Sequence, residues 1–116
     1  MKKFFALFQI PASVMEDWKK NTKPDEMKAA SEKMMRDWEQ WTKAHEKSLL
    51  DRGAPLGKTK RVAANGISDI RNELNWYSIV EAESHDAAAK LFSDNPHLQI
   101  PQAFIEVMEI PPIPQM

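Results

Sequence analysis

The sequence predicts an α+β fold, with one antiparallel sheet carrying its helices on a single face. Three observations predict it. Four segments have the alternation or the β-branched and aromatic content of strands, helical periodicity separates the first from the second and the third from the fourth, and an Asn-Gly turn signal marks an added hairpin.

The first segment, FFALFQI, puts Phe4, Ala6, Phe8 and Ile10 on one side and Phe5 and Leu7 on the other, the two-residue period of a strand. Its flanking lysines and small residues also resemble an export signal. That reading fails because Gln9 interrupts a barely sufficient apolar run, Pro11 follows directly and no A-x-A-like cleavage motif comes after it. The expectation is a first strand in a cytoplasmic protein.

Pro11 ends that strand, and residues 12–20 predict a short helix begun by Ser13, with Val14 and Trp18 on one side. Residues 21–24 break it. Thr22, Pro24, Asp25 and Glu26 form an N-terminal signal for a longer helix over residues 25–47, on which Met27, Ala30, Met34, Trp38, Trp41 and His45 draw one apolar stripe. Leu49 and Leu50 open a second strand that runs into Arg52-Gly53-Ala54-Pro55-Leu56-Gly57. Residues 60–64 and 67–71 flank Asn65-Gly66 as a hairpin. WYSIVEA, residues 76–82, is a strand; Ser84 caps a helix whose Ala88, Leu91 and Phe92 face inward; Asp94-Asn95-Pro96 stops it. Residues 103–110 form the last strand, and the Pro-rich 111–116 an extended tail. The order is the ferredoxin-like β-α-β-β-α-β pattern with an inserted β-hairpin, in a single domain over residues 1–116.

This arrangement leaves apolar surface to account for. The first strand is apolar on both faces and WYSIVEA nearly so, while right-handed crossovers cover only one face with helices. Each large side chain left wet on the other face forgoes about 1.5–3 kcal/mol. A homodimer packed sheet to sheet resolves this.

Composition excludes several classes. The 116 residues are 42% hydrophobic and 28% charged, with no cysteine, so disulfides, thiolate metal sites and a Cys nucleophile are absent. No run approaches a membrane span. Residues 1–61 carry 14 basic and 9 acidic side chains and residues 62–116 carry 2 and 8, yet the lysines alternate with acids along a helix, the pattern of a solvated face rather than of a nucleic-acid surface.

Few motifs carry chemistry. Gly53-Ala54-Pro55-Leu56-Gly57-Lys58-Thr59 superficially suggests a phosphate loop, but it has three residues between its glycines instead of four and no helix after Lys58-Thr59. His45 lies on the apolar stripe without a second histidine at helical spacing, so no metal pair is expected, and no cofactor is implied. His85 sits beside a helix cap. His97, in a turn before the last strand, is the candidate general acid or base. Trp38 and Trp41 have core spacing, whereas Trp76 stands near a pocket mouth; Trp76, Ser78, His97 and His45 form the candidate ligand pocket. Glu81 and Glu106 interrupt apolar faces where two sheets would meet.

The stretches PASVMEDW, DRGAPLG, ANGISD, WYSIVEAESHDAAAKLFSDNPHL and IEVMEI, which span nearly the whole chain, resemble the YCII-related (DGPF-type) family of the dimeric α/β-barrel superfamily. Members often have a His-Pro pair where this sequence has Asn95-Pro96, while His97 matches the second His of the pattern. The resemblance implies a ferredoxin-like protomer, a barrel-like dimer and a pocket between sheet and helices. It assigns no reaction. Two function classes are expected: a small-molecule-binding homodimer, catalytic through His97 or not catalytic at all, and a non-catalytic interaction or regulatory module.

Overall fold

The structure, a computed structural model, describes residues 1–113. Its elements run β1 (Lys2–Gln9), α1 (Ala12–Asn21), α2 (Pro24–Ala44), β2 (Leu49–Asp51), β3 (Thr59–Ala63), β4 (Gly66–Ile70), β5 (Leu74–Ala82), α3 (His85–Leu91), a 3-10 turn (Pro96–Gln99) and β6 (Phe104–Ile110). Residues 111–113 form neither helix nor strand, and the rest of the expected extended tail, residues 114–116, lies outside the described residues.

Four strands make one antiparallel sheet in the order β2-β5-β1-β6, and β3 and β4 pair separately. Without that hairpin, and with α1 and α2 together filling the first crossover, the chain reads strand, two helices, two strands, helix, strand, so the ferredoxin-like α+β expectation holds. The two-residue period of β1 decides which face is dry. Phe4, Ala6 and Phe8 are fully buried, opposite Val80, Ser78 and Trp76 of β5 and Glu109, Val107 and Ile105 of β6. Trp41 of α2, Ala88 of α3 and the adjoining Phe92 close this core from the helix side.

The other face of the sheet is open. Phe5, Leu7, Tyr77 and Ile79 are half-buried there, and Phe104, Met108, Ile110 and Leu50 are exposed. Phe5 and Tyr77 stack with centroids 5.8 Å apart. Glu81 stands opposite Lys3, and the Gln9 amide bonds to Glu106, so the two carboxylates expected to interrupt apolar faces both lie on this side.

Several local expectations are corrected. Ser13 does not cap α1: Pro11 holds that position without a side-chain bond, and Glu73 Oε2 accepts from the Ala12 amide at 2.6 Å, so a distant carboxylate serves the helix end. Thr22 likewise yields to Lys23 at the start of α2, although Pro24 occupies the first turn as expected and Asp25 and Glu26 follow it. Helix α2 ends at Ala44 rather than Lys47 and buries chiefly its C-terminal part, Trp41 and Thr42. The hairpin turns over Ala64–Asn65, with Gly66 taking φ +137° at the start of β4, one residue off the expected position. Ser84 does cap α3, its hydroxyl accepting from the Ala87 amide at 3.1 Å.

Candidate functional site

Strand β2 continues past Asp51 as a bulge. Pro55 pairs with Trp76 and the Leu56 amide bonds to the Asn75 carbonyl, so residues 52–54 face only Tyr77 and Ser78 and this edge carries one extra residue. Gly53 takes φ +84° and lies directly against β5, where a Cβ would stand 1.4 Å from the Tyr77 carbonyl oxygen. The Asp51 carboxylate locks the bend, accepting from the Gly53 amide at 2.8 Å and from the Tyr77 hydroxyl at 3.3 Å. That carboxylate also raises the Tyr77 phenol above its ordinary pKa. The stretch that superficially suggested a phosphate loop is this edge and its exit toward the hairpin.

The bulge aims the Arg52 carbonyl inward. Trp76 Nε1 donates to it at 3.0 Å and Ser78 Oγ at 3.1 Å, so these two sequence candidates are brought together on one acceptor. The Trp76 ring meets Trp38 edge-on, with centroids 5.5 Å apart. Trp38 in turn touches Phe8, and Phe8 touches Phe92 and His97, giving a continuous aromatic layer between sheet and helices.

His97 lies at the far side of Phe8 and is only 4% exposed. Its Nε2 donates to the Gln9 carbonyl at 2.9 Å, which fixes the proton on that nitrogen, and its own amide donates to Asn95 Oδ1 at 2.8 Å. Burial pushes the imidazole below its ordinary pKa, opposed by the nearby backbone of Gln9 and Phe104. The ring is therefore neutral at pH 7 and ties the 3-10 turn to the end of β1.

His45, the fourth candidate, sits apart at the C-terminus of α2. Its ring packs 4.8 Å from Trp41, and its Nε2 is 3.5 Å from Asp94 Oδ1. Trp41 Nε1 also donates to Asp94 Oδ1, at 3.1 Å, so this cluster joins α2 to the end of α3. His85 is exposed, stacks on Phe4 and bonds to the Val107 carbonyl.

Two cavities are lined by other residues. One, of about 720 Å³, opens where β1 passes into α1 and where the chain returns from the hairpin into β5. Gln9, Lys19, Arg71, Glu73 and Asn75 line it together with the apolar Ile10, Met15 and Leu74. Glu73 is committed to the Ala12 amide, whereas among the described residues Lys19 and Arg71 join no ion pair and Asn75 Oδ1 has no hydrogen-bond partner. Sequence reasoning missed this site because its residues come from two stretches about sixty positions apart, 9–19 and 71–75, and form no motif. The second cavity, about 340 Å³, lies between α3 and β6 and is lined by Phe92, Leu98, Phe104 and Val107 among others. No group of His, Asp or Glu able to hold a metal ion occurs among the described residues.

No protein-family model matches the chain, and no curated protein does. Among solved structures, the chain is similar to 5-chloro-2-hydroxyhydroquinone dehydrochlorinase (TftG) from Burkholderia phenoliruptrix AC1100, in complex with 2,5-dihydroxybenzoquinone, with a TM-score of 0.45 and 15% identity over 91% of each chain.

Proposed function

We propose that this protein binds a small molecule and works as a sheet-to-sheet homodimer. The observation that carries the reading is the position of Gln9. Its side chain lies on the open apolar face, bonded to Glu106, and the residue also lines the larger cavity, so the ligand site of this reading sits on the rim of the surface that a second copy would cover. The resemblance to the YCII-related family supports the same pairing. With Glu73 engaged, Lys19 and Arg71 outnumber Glu16 as uncommitted charges. A small organic anion fits that set.

His97 stands behind this site rather than in its wall. Its bond to the Gln9 carbonyl positions the residue that lines the cavity. Trp76 and Ser78 hold the strand that carries Asn75. His45 has no part in this reading.

A thermal-shift screen of small carboxylates and phosphates tests it. A ligand at about a hundred times its Kd stabilises the fold by about 2.7 kcal/mol, a readable shift in Tm. The expected result is a hit that is lost in Arg71→Ala and Lys19→Ala while both variants fold. Hits that survive both changes overturn the site. No hit, together with a stable protein partner in pull-downs, replaces the reading with an interaction or regulatory module. A His97→Ala variant with full binding and turnover removes His97 from catalysis.

A further inference from the structure

The hairpin stands off the body of the protein. Strands β3 and β4 pack substantially only on each other. Val62 and Ile67 face each other across the pair and are 77% and 70% exposed. With this arm the protomer extends 54 × 45 × 19 Å and has a radius of gyration of 16.4 Å, where a compact chain of this length has about 13 Å. A lone two-stranded hairpin is marginally stable in water, and an exposed pair of β-branched aliphatic side chains adds nothing to it until something covers them.

Charge indicates what does. The arm carries Lys58, Lys60 and Arg61 against Asp69, and Asp69 is taken by Lys60 at 2.6 Å. The open sheet face carries Asp51, Glu81 and Glu106 against Lys3. A basic arm with an apolar pair thus complements an acidic face with apolar strands, and both belong to the same chain. Self-complementarity of this kind is what a two-fold symmetric pair requires.

We propose that two copies exchange arms, each hairpin lying against the acidic margin of the other's open sheet and covering its own Val62 and Ile67 there. This rests on the homodimer proposed above.

The chain has no cysteine, so Ile67→Cys gives a single attachment point for a solvent-sensitive fluorophore. In the full-length protein its emission should shift to the blue with rising concentration, with the same midpoint as dimerisation measured by sedimentation. Val62→Thr with Ile67→Thr keeps β-branched residues in the arm while removing apolar surface, and should weaken the dimer about tenfold or more with an unchanged circular dichroism spectrum. Raising salt should weaken the wild-type dimer, since the exposed charges are screened. A dimer in which the label stays solvent-like and the double threonine variant matches wild type overturns arm exchange and leaves the dimer standing. A wild type that sediments as a 13.3 kDa species at all concentrations overturns the dimer itself, and the exchange with it.

Discussion

Gly53 and Tyr77 touch backbone to backbone: a single added Cβ on Gly53 would fall 1.4 Å from the Tyr77 carbonyl oxygen. No rotamer relieves such a contact, because both partners are main chain, and the left-handed φ of +84° already disfavours any other residue. The bulge is therefore built around the absence of a side chain.

Gly53→Ala is expected to cost more than about 2 kcal/mol, combining an unfavourable φ with displacement of the β2 edge from β5. Urea denaturation measures it. A midpoint within a few tenths of molar of wild type would show that the edge gives way without cost.

Ser78→Ala and Trp76→Phe each remove one of two donors to the Arg52 carbonyl, and each leaves the other in place. The hydrogen-bond part of each single loss is about 1 kcal/mol, whereas the double variant leaves that carbonyl without either donor and costs about 1 kcal/mol beyond the sum. A double-mutant cycle on unfolding free energies reads the coupling directly. Strict additivity would mean that the two bonds are independent.

Stability should fall in mild acid because of His97. The folded-state pKa lies below the ordinary value of about 6.5, so between the two values the unfolded chain binds more protons and stability rises with pH. His97's contribution is complete above about pH 6.5 and is lost as pH drops from there through the folded pKa. His97→Gln, which can still donate to the Gln9 carbonyl, should flatten that limb of the stability profile. An unchanged acid limb in the variant would assign it to other groups.

Phe8→Ala is expected to cost about 3–5 kcal/mol, since Phe8 is fully buried at the junction of Trp38, Phe92 and His97. Against a typical total of about 5–15 kcal/mol this brings the fold near its threshold. Thermal unfolding should show it, with a larger loss than Phe5→Ala in the isolated protomer.

The face assignments were legible in the sequence because the alternation in FFALFQI is a local record of which side is dry: Phe4, Ala6 and Phe8 are buried as their spacing predicts. Ser84 was legible for the same reason, a cap being a contact three residues long. Ser13 misled because the Ala12 amide is satisfied by Glu73, sixty-one positions away, and local propensity carries no trace of such a partner. The bulge at Gly53 and the cavity beside Gln9 were hidden likewise. Both exist only once β5 lies beside β2 and β1, and no spacing in the chain announces that approach. Trp76 and Ser78 were singled out from one strand, and their shared acceptor, Arg52, emerged only from the packing of its neighbour.

Strand β1 precedes the other described strands in the chain and sits in the middle of the sheet, with β5 on one side and β6 on the other. Both of its edges thus wait for the last third of the chain; Gln9 meets Glu106 across 97 positions. Such distant pairing makes folding slow and leaves a phenylalanine-rich segment with two bare edges during translation. Cells that make this protein are expected to keep that segment soluble with a chaperone until Ile110 has emerged, and its yield should depend on that help more than its final stability suggests.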